Sequence, residues 1–148
     1  MDRKDFIKNC GFACVSGAAF SAILQGCTST KIMGGKITGD ELIVAISDFE
    51  TKAGNEKHFK KYVVVQNDLL QYPICVYRLN ENEYSALWMQ CTHQGAELQV
   101  FGDKLQCPAH GSEFSNKGDL QTGPAETKLR TFPVTIEAGL LKISLKAI

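Results

Sequence analysis

Two short segments of the chain carry the residues that could do chemistry together. Cys91-Thr92-His93-Gln94-Gly95 offers a thiol and an imidazole spaced Cys-x-His. Cys107-Pro108-Ala109-His110-Gly111-Ser112 offers the same two groups spaced Cys-x-x-His, and residues 94 to 106 separate His93 from Cys107. Two soft sulfurs and two borderline nitrogens on short loops make a metal site, because a coordinating thiol gives up its proton to the cation it binds. Zinc accepts a Cys2His2 set, but its usual layout puts both cysteines in one knuckle and both histidines on a following helix. Here the ligand types alternate along the chain, with small residues (Gly95, Gly111) among them. That alternation suits a two-iron cluster in which one iron takes both cysteines and the other both histidines. A structural zinc site without redox activity stays open as the second reading. The sequence shows no mononuclear iron triad, nucleotide loop or nucleophile–base pair, so the chain reads as an electron carrier and not a complete enzyme.

The two segments resemble the cluster-binding loops of Rieske [2Fe–2S] proteins. Gly123-Pro124-Ala125 is similar to the proline-containing third loop that covers the cluster in that family. The resemblance implies one [2Fe–2S] cluster per chain. It places Cys91 and Cys107 on the buried iron and His93 and His110 on the solvent-facing iron, with Ser112, Phe114, Gly123 and Pro124 beside the cluster. Two departures from the quinol-oxidising members follow from this alignment of motifs. Those members join their loops by a disulfide, and the matching positions here are Ala96 and Ala109. They also place a serine and a tyrosine after the second histidine, of which Ser112 is kept and the tyrosine position is Phe114. Hydroxyl donors to cluster sulfur favour the reduced state, so losing one lowers the potential. The expectation is a potential below that of the quinol-oxidising type and above that of a four-cysteine cluster. The neutral imidazoles localise the added electron on their iron, and the free nitrogen of each ring makes the potential fall with rising pH.

The elements that must position these loops read as short strands. Leu42-Ile43-Val44-Ala45-Ile46 and Tyr62-Val63-Val64-Val65 are rich in β-formers, and Ile74 to Leu79 follows Pro73. The polar turn Asn80-Glu81-Asn82-Glu83 leads into Tyr84 to Met89, a hairpin that ends almost at Cys91. Phe132 to Glu137 and Leu140 to Leu145 alternate around Ala138-Gly139. The expected fold is all-β, an antiparallel sandwich or barrel-like domain over residues 41 to 148, with the cluster loops as a small β subdomain between hairpins. The polar stretch 50 to 61 reads as a surface loop, and its His58 as a surface histidine. The chain has 148 residues, is 44% hydrophobic and balances 16 basic against 16 acidic side chains, which points away from nucleic acid.

Residues 1 to 26 read as a signal peptide or membrane-anchor helix. Arg3, Lys4 and Lys8 form a basic start, an uncharged stretch runs from Cys10 to Leu24, and Leu24-Gln25-Gly26-Cys27 resembles the lipobox of bacterial lipoproteins. Cys27 is therefore the expected lipidation site, and residues 27 to 40 have the glycine and hydroxyl content of a flexible tether. An uncleaved anchor is the alternative, since 9 to 26 is just long enough to span. Either way the domain is expected on the extracytoplasmic face of a bacterial membrane, working with a cytochrome or membrane oxidoreductase complex. A ferredoxin feeding a dioxygenase fits the missing disulfide, but the export signal argues against it. Cys75, the remaining cysteine, reads as a small buried hydrophobe.

Overall fold

The computed structural model describes residues 30 to 146; the expected anchor helix and Cys27 lie outside them. Every regular element among the described residues is a strand, apart from one 3-10 turn at Ile46–Phe49. No described helix is long and apolar enough to cross a membrane. The centre is a five-stranded sheet in the order Ile32–Gly34, Tyr62–Gln66, Ile74–Arg78, Tyr84–Trp88 and Thr131–Phe132. Beneath it lies a four-stranded sheet ordered Val134–Glu137, Leu140–Ser144, Glu41–Ala45 and Lys36–Thr38. Above it is a second four-stranded sheet, ordered Leu120–Thr122, Glu113–Ser115, Lys104–Gln106 and Gln99–Phe101.

The central sheet is buried on both faces, and the two-residue period of a strand sorts its side chains. Val64, Cys75, Tyr77 and Leu87 turn to one core, with Leu98, Leu105 and Phe114 of the upper sheet region. Val63, Val65, Ile74, Val76 and Ala86 turn to the other, with Leu42, Val44, Leu141 and Ile143 of the lower sheet. Pairings such as Val64 with Cys75 and Cys75 with Leu87 keep each set on its face. A one-residue slip would exchange the two sets, so the register is held from both sides. Cys75 is a free thiol with no exposed surface, and burial pushes it far above the usual thiol range.

The upper sheet is an excursion from one edge of the centre. Residues 89 to 130 leave after Tyr84–Trp88 and return at Thr131–Phe132, which pairs antiparallel with the strand just left. Trp88 N–H donates to the Arg130 carbonyl at 2.9 Å and closes the neck. The cluster subdomain expected from sequence is thus inserted in one place and built on adjacent strands.

Three sequence expectations change. Residues 32 to 38 are not tether: Ile32–Gly34 pairs in parallel with Tyr62–Gln66, and Lys36–Thr38 pairs antiparallel with Glu41–Ala45. Their glycine-rich composition hid this, because each strand is three residues long, too short to show a period, and turns a single side chain inward, Met33 and Ile37. The run Phe132 to Glu137 is broken at Pro133, where the chain passes from the central to the lower sheet. Proline has no N–H for a ladder, which makes it fit for that corner. The polar stretch 50 to 61 holds a hairpin, Glu50–Ala53 with Glu56–Phe59, turning at Gly54-Asn55 with Gly54 at φ 66°. His58 lies exposed on it, as expected.

Gly35 makes the passage between sheets for the first two strands. A Cβ there would overlap Val65 Cγ1 and Leu42 Cδ1, one from each sheet. Gly35→Ala is expected to destabilise the domain by about 1–3 kcal/mol, the usual range for overpacking a closed core. Thermal unfolding measures it, and an unchanged midpoint would show that the sheets are not closed at this position.

Candidate metal centre

Both cysteine loops are built on one hydrogen-bond frame. In the first, Gly95 N–H donates to the Cys91 carbonyl at 2.9 Å and Cys91 N–H to the Ala96 carbonyl at 2.8 Å. In the second, Gly111 N–H donates to the Cys107 carbonyl at 2.9 Å and Cys107 N–H to the Ser112 carbonyl at 2.8 Å. Each loop closes at a glycine in the left-handed region, Gly95 at φ 77° and Gly111 at φ 80°. A Cβ is disfavoured in that conformation, which explains the glycine four residues after each cysteine. The histidine falls inside each closed turn, so the backbone fixes its position relative to the cysteine.

The thiols and the imidazoles separate by depth. Cys91 and Cys107 are 2% and 1% exposed, in the core with Leu98, Leu105 and Phe114. The two thiols are neighbours, and each shifts the protonation of the other. Burial pushes the Cys107 thiol up, but the N–H groups of His110, Ala109 and Gly111 all donate to its sulfur and bring it below the usual thiol range. Burial raises the Cys91 thiol, against donation from the His93 N–H and the Ser112 hydroxyl. These donors would meet the sulfurs of a bound cluster without rearrangement.

His93 and His110 stand at the surface with their Nδ1 atoms 3.3 Å apart and their rings nearly perpendicular, at 87°. The Nδ1 atoms therefore face one point, and each Nε2 lies on the far side of its ring. Among the described residues, no three His, Cys, Asp or Glu side chains converge on a single ion position. The four candidate ligands come instead as a thiol pair and an imidazole pair. A tetrahedral zinc needs all four around one centre. A two-iron cluster needs two on each iron, and this donor set fits it.

Outer contacts tie the loops together. Ser112 has no exposed surface, and its hydroxyl accepts from the Ala125 N–H at 3.0 Å while donating toward Cys91. The third loop, with a cis Gly123-Pro124 bond, is thereby joined to the second cysteine loop. Thr92 Oγ1 donates to the Thr127 carbonyl at 2.7 Å, joining the third loop to the first. Tyr72 OH donates to the Gly95 carbonyl at 2.6 Å, and Trp88 Nε1 to Gln90 Oε1 at 2.9 Å. Phe114 is fully buried in the core beneath the loops. Sequence reasoning placed Ser112 but missed Thr92, Tyr72 and Gln90. Thr92 lies inside the motif and its hydroxyl was the available signal; Tyr72 carries none, being remote in the chain.

Ala96 is half-buried and Ala109 exposed, on loops whose histidine rings touch. The double variant Ala96→Cys/Ala109→Cys is expected to form a loop disulfide on oxidation, seen as loss of two free thiols by mass spectrometry. Two persistently free thiols would show that these positions do not approach each other.

Comparison with known proteins places this architecture. The Rieske [2Fe-2S] domain family model matches residues 49–133. The chain is 29% identical over 147 residues to the cytochrome b6-f complex iron-sulfur subunit of Cyanothece sp., covering 87% of this chain and 76% of that protein. The crystal structure of the cyanobacterial plasma membrane Rieske protein PetC3 from Synechocystis is 26% identical, with TM-score 0.50 over 57% of this chain and 86% of that one. A chain in the complex of oxygenase and ferredoxin of carbazole 1,9a-dioxygenase is 25% identical, with TM-score 0.51 over 70% of this chain and 91% of that one. A buried thiol pair beneath a surface imidazole pair, on a small β subdomain, defines an iron–sulfur electron carrier. The chain belongs to the Rieske [2Fe–2S] family. It carries a [2Fe–2S] cluster and transfers electrons through it.

Proposed function

We propose that Cys91 and Cys107 hold the inner iron and His93 and His110 the outer one, and that the chain is a membrane-tethered electron relay on the extracytoplasmic face of a bacterial membrane. The observation that carries the ligand assignment is the separation of the two pairs, thiols in the core and Nδ1 atoms facing each other at the surface. When bound, the cluster supplies a one-electron couple at its histidine-ligated iron. The residues of the chain do the rest. The backbone N–H groups around Cys107 stabilise thiolate charge, and Ser112 donates to Cys91. His93 and His110 present their rings to an incoming redox protein, so the electron has a short path out.

The partner in this reading is a cytochrome or a membrane oxidoreductase complex, accepting or giving one electron at a time. The likeness to a cytochrome b6-f subunit and to a plasma membrane Rieske protein supports it. So does the basic, apolar and lipobox-like order of residues 1 to 27. A second reading, a carrier that supplies an oxygenase, is favoured by the absence of a loop disulfide at Ala96 and Ala109 and by the likeness to the carbazole dioxygenase complex.

Electron paramagnetic resonance of the dithionite-reduced protein, with its iron content, tests the ligand assignment. The expected result is a rhombic signal averaging below the free-electron value and about two irons per chain. Zinc in place of iron would overturn it. Mass spectrometry of membrane-extracted protein is expected to find acyl chains on Cys27. An intact Met1 would replace the lipid by an uncleaved anchor, and recovery in the soluble fraction would favour the oxygenase carrier.

A further inference from the structure

We propose that the face through which the chain enters the domain docks on an anionic phospholipid surface, with Lys31, Lys60 and Lys61 as the groups that meet the phosphates. The inference rests on the membrane-tether reading and names the surface that reading leaves open.

The strands at Ile32–Gly34 and Lys36–Thr38 are stitched into the central and lower sheets, and that shortens the tether. Only residues 28 to 31 remain between Cys27 and the first strand. Fully extended, a chain covers at most about 3.6 Å per residue, so Thr30 lies within about 11 Å of the Cys27 backbone. An uncleaved anchor ending at Gly26 adds only one residue to that reach. A lipid or helix fixed in the bilayer therefore brings the surface around Thr30 to the headgroups.

That surface is a cleft of about 460 Å³, walled by Thr30, Lys31, Lys60 and Lys61 over Met33 and Tyr62. All three lysines are exposed, and none is in an ion pair among the described residues. One acid, Asp48, also lines the cleft. Its carboxylate accepts from the Ala45 N–H at 3.2 Å, and its carbonyl from Lys60 Nζ at 3.4 Å. The chain as a whole carries no net charge, so this is a local concentration of positive charge at the point of tethering. Basic residues held next to a bilayer are attracted to anionic lipid within a Debye length, roughly fivefold in affinity for each. Four residues of tether reach at most about 14 Å, which lets these three come within that distance of the headgroups.

The full chain, reconstituted into vesicles, tests this. Lysine reactivity toward a water-soluble acetylating reagent is read residue by residue by mass spectrometry, in phosphatidylcholine alone and with phosphatidylglycerol added. Lys117 and Lys146 serve as references outside the cleft. Lys31, Lys60 and Lys61 are expected to be protected about fivefold or more in the anionic vesicles, with protection lost in about 0.5 M salt. The variant Lys60→Glu/Lys61→Glu is expected to lose the protection at Lys31 as well. A chain that floats with both kinds of vesicle but shows equal reactivity in each overturns the docking surface and leaves the tether standing. A chain that does not float with phosphatidylcholine overturns the tether, and the docking surface with it.

Discussion

Replacing His110 with cysteine is expected to lower the reduction potential by about 100 mV or more. His110 is exposed, and its Nδ1 sits 3.3 Å from that of His93, so it has no packing role that would explain its place between Ala109 and Gly111. As a ligand it brings no charge. A cysteine in its place brings a thiolate, and each added negative charge makes the reduced, more negative state harder to reach. Rieske clusters with two imidazoles span about −150 to +300 mV, against about −400 mV for plant-type four-cysteine ferredoxins. A His110→Cys variant is expected between those ranges, by spectroelectrochemical titration of protein that keeps its two irons. An unchanged potential at full iron content would remove His110 from the ligand set.

The second large effect is expected from Ser112→Ala. The hydroxyl has no exposed surface and works in two directions, accepting from the Ala125 N–H at 3.0 Å and donating to Cys91. Alanine leaves the Ala125 N–H buried without its partner, which costs about 1–3 kcal/mol. For a domain of this size that is a fall in Tm of about 4–15 °C. It also removes a donor from the Cys91 sulfur, so if Cys91 holds the cluster as proposed the potential falls as well. A loss of stability with no change in potential would confine Ser112 to the loop contact. The two readouts separate its two roles.

The strands of the central sheet were legible because Val63, Val64, Val65, Ile74 and Val76 are β-formers in runs of strand length. Their division between two cores was not, since a strand buried on both faces loses the polar positions that mark an alternation. The strands at Gln99–Phe101, Lys104–Gln106, Glu113–Ser115 and Leu120–Thr122 hold three residues each, too few to show a period. The hairpin at 50 to 59 is charged on both strands, and only its Gly54-Asn55 turn announced it. The candidate ligands were conspicuous for a different reason. Metals accept few residue types, so Cys91, His93, Cys107 and His110 stand out wherever the fold puts them. Tyr72 does not, because a phenol that donates to a backbone carbonyl leaves no local pattern.

The alanines at 96 and 109 bear on where the protein can hold its shape. Its loops are joined by the bonds from Ser112 to Ala125, Thr92 to Thr127 and Tyr72 to Gly95. None of these is a thiol couple, and the described cysteines are all unpaired. The mechanical integrity of the site is therefore independent of the thiol poise of its surroundings. Loops stapled by a disulfide need an oxidising compartment to be finished, whereas loops held by these bonds can close in a reducing or an oxidising compartment alike. The same hydrogen bonds serve whether or not the surroundings oxidise thiols.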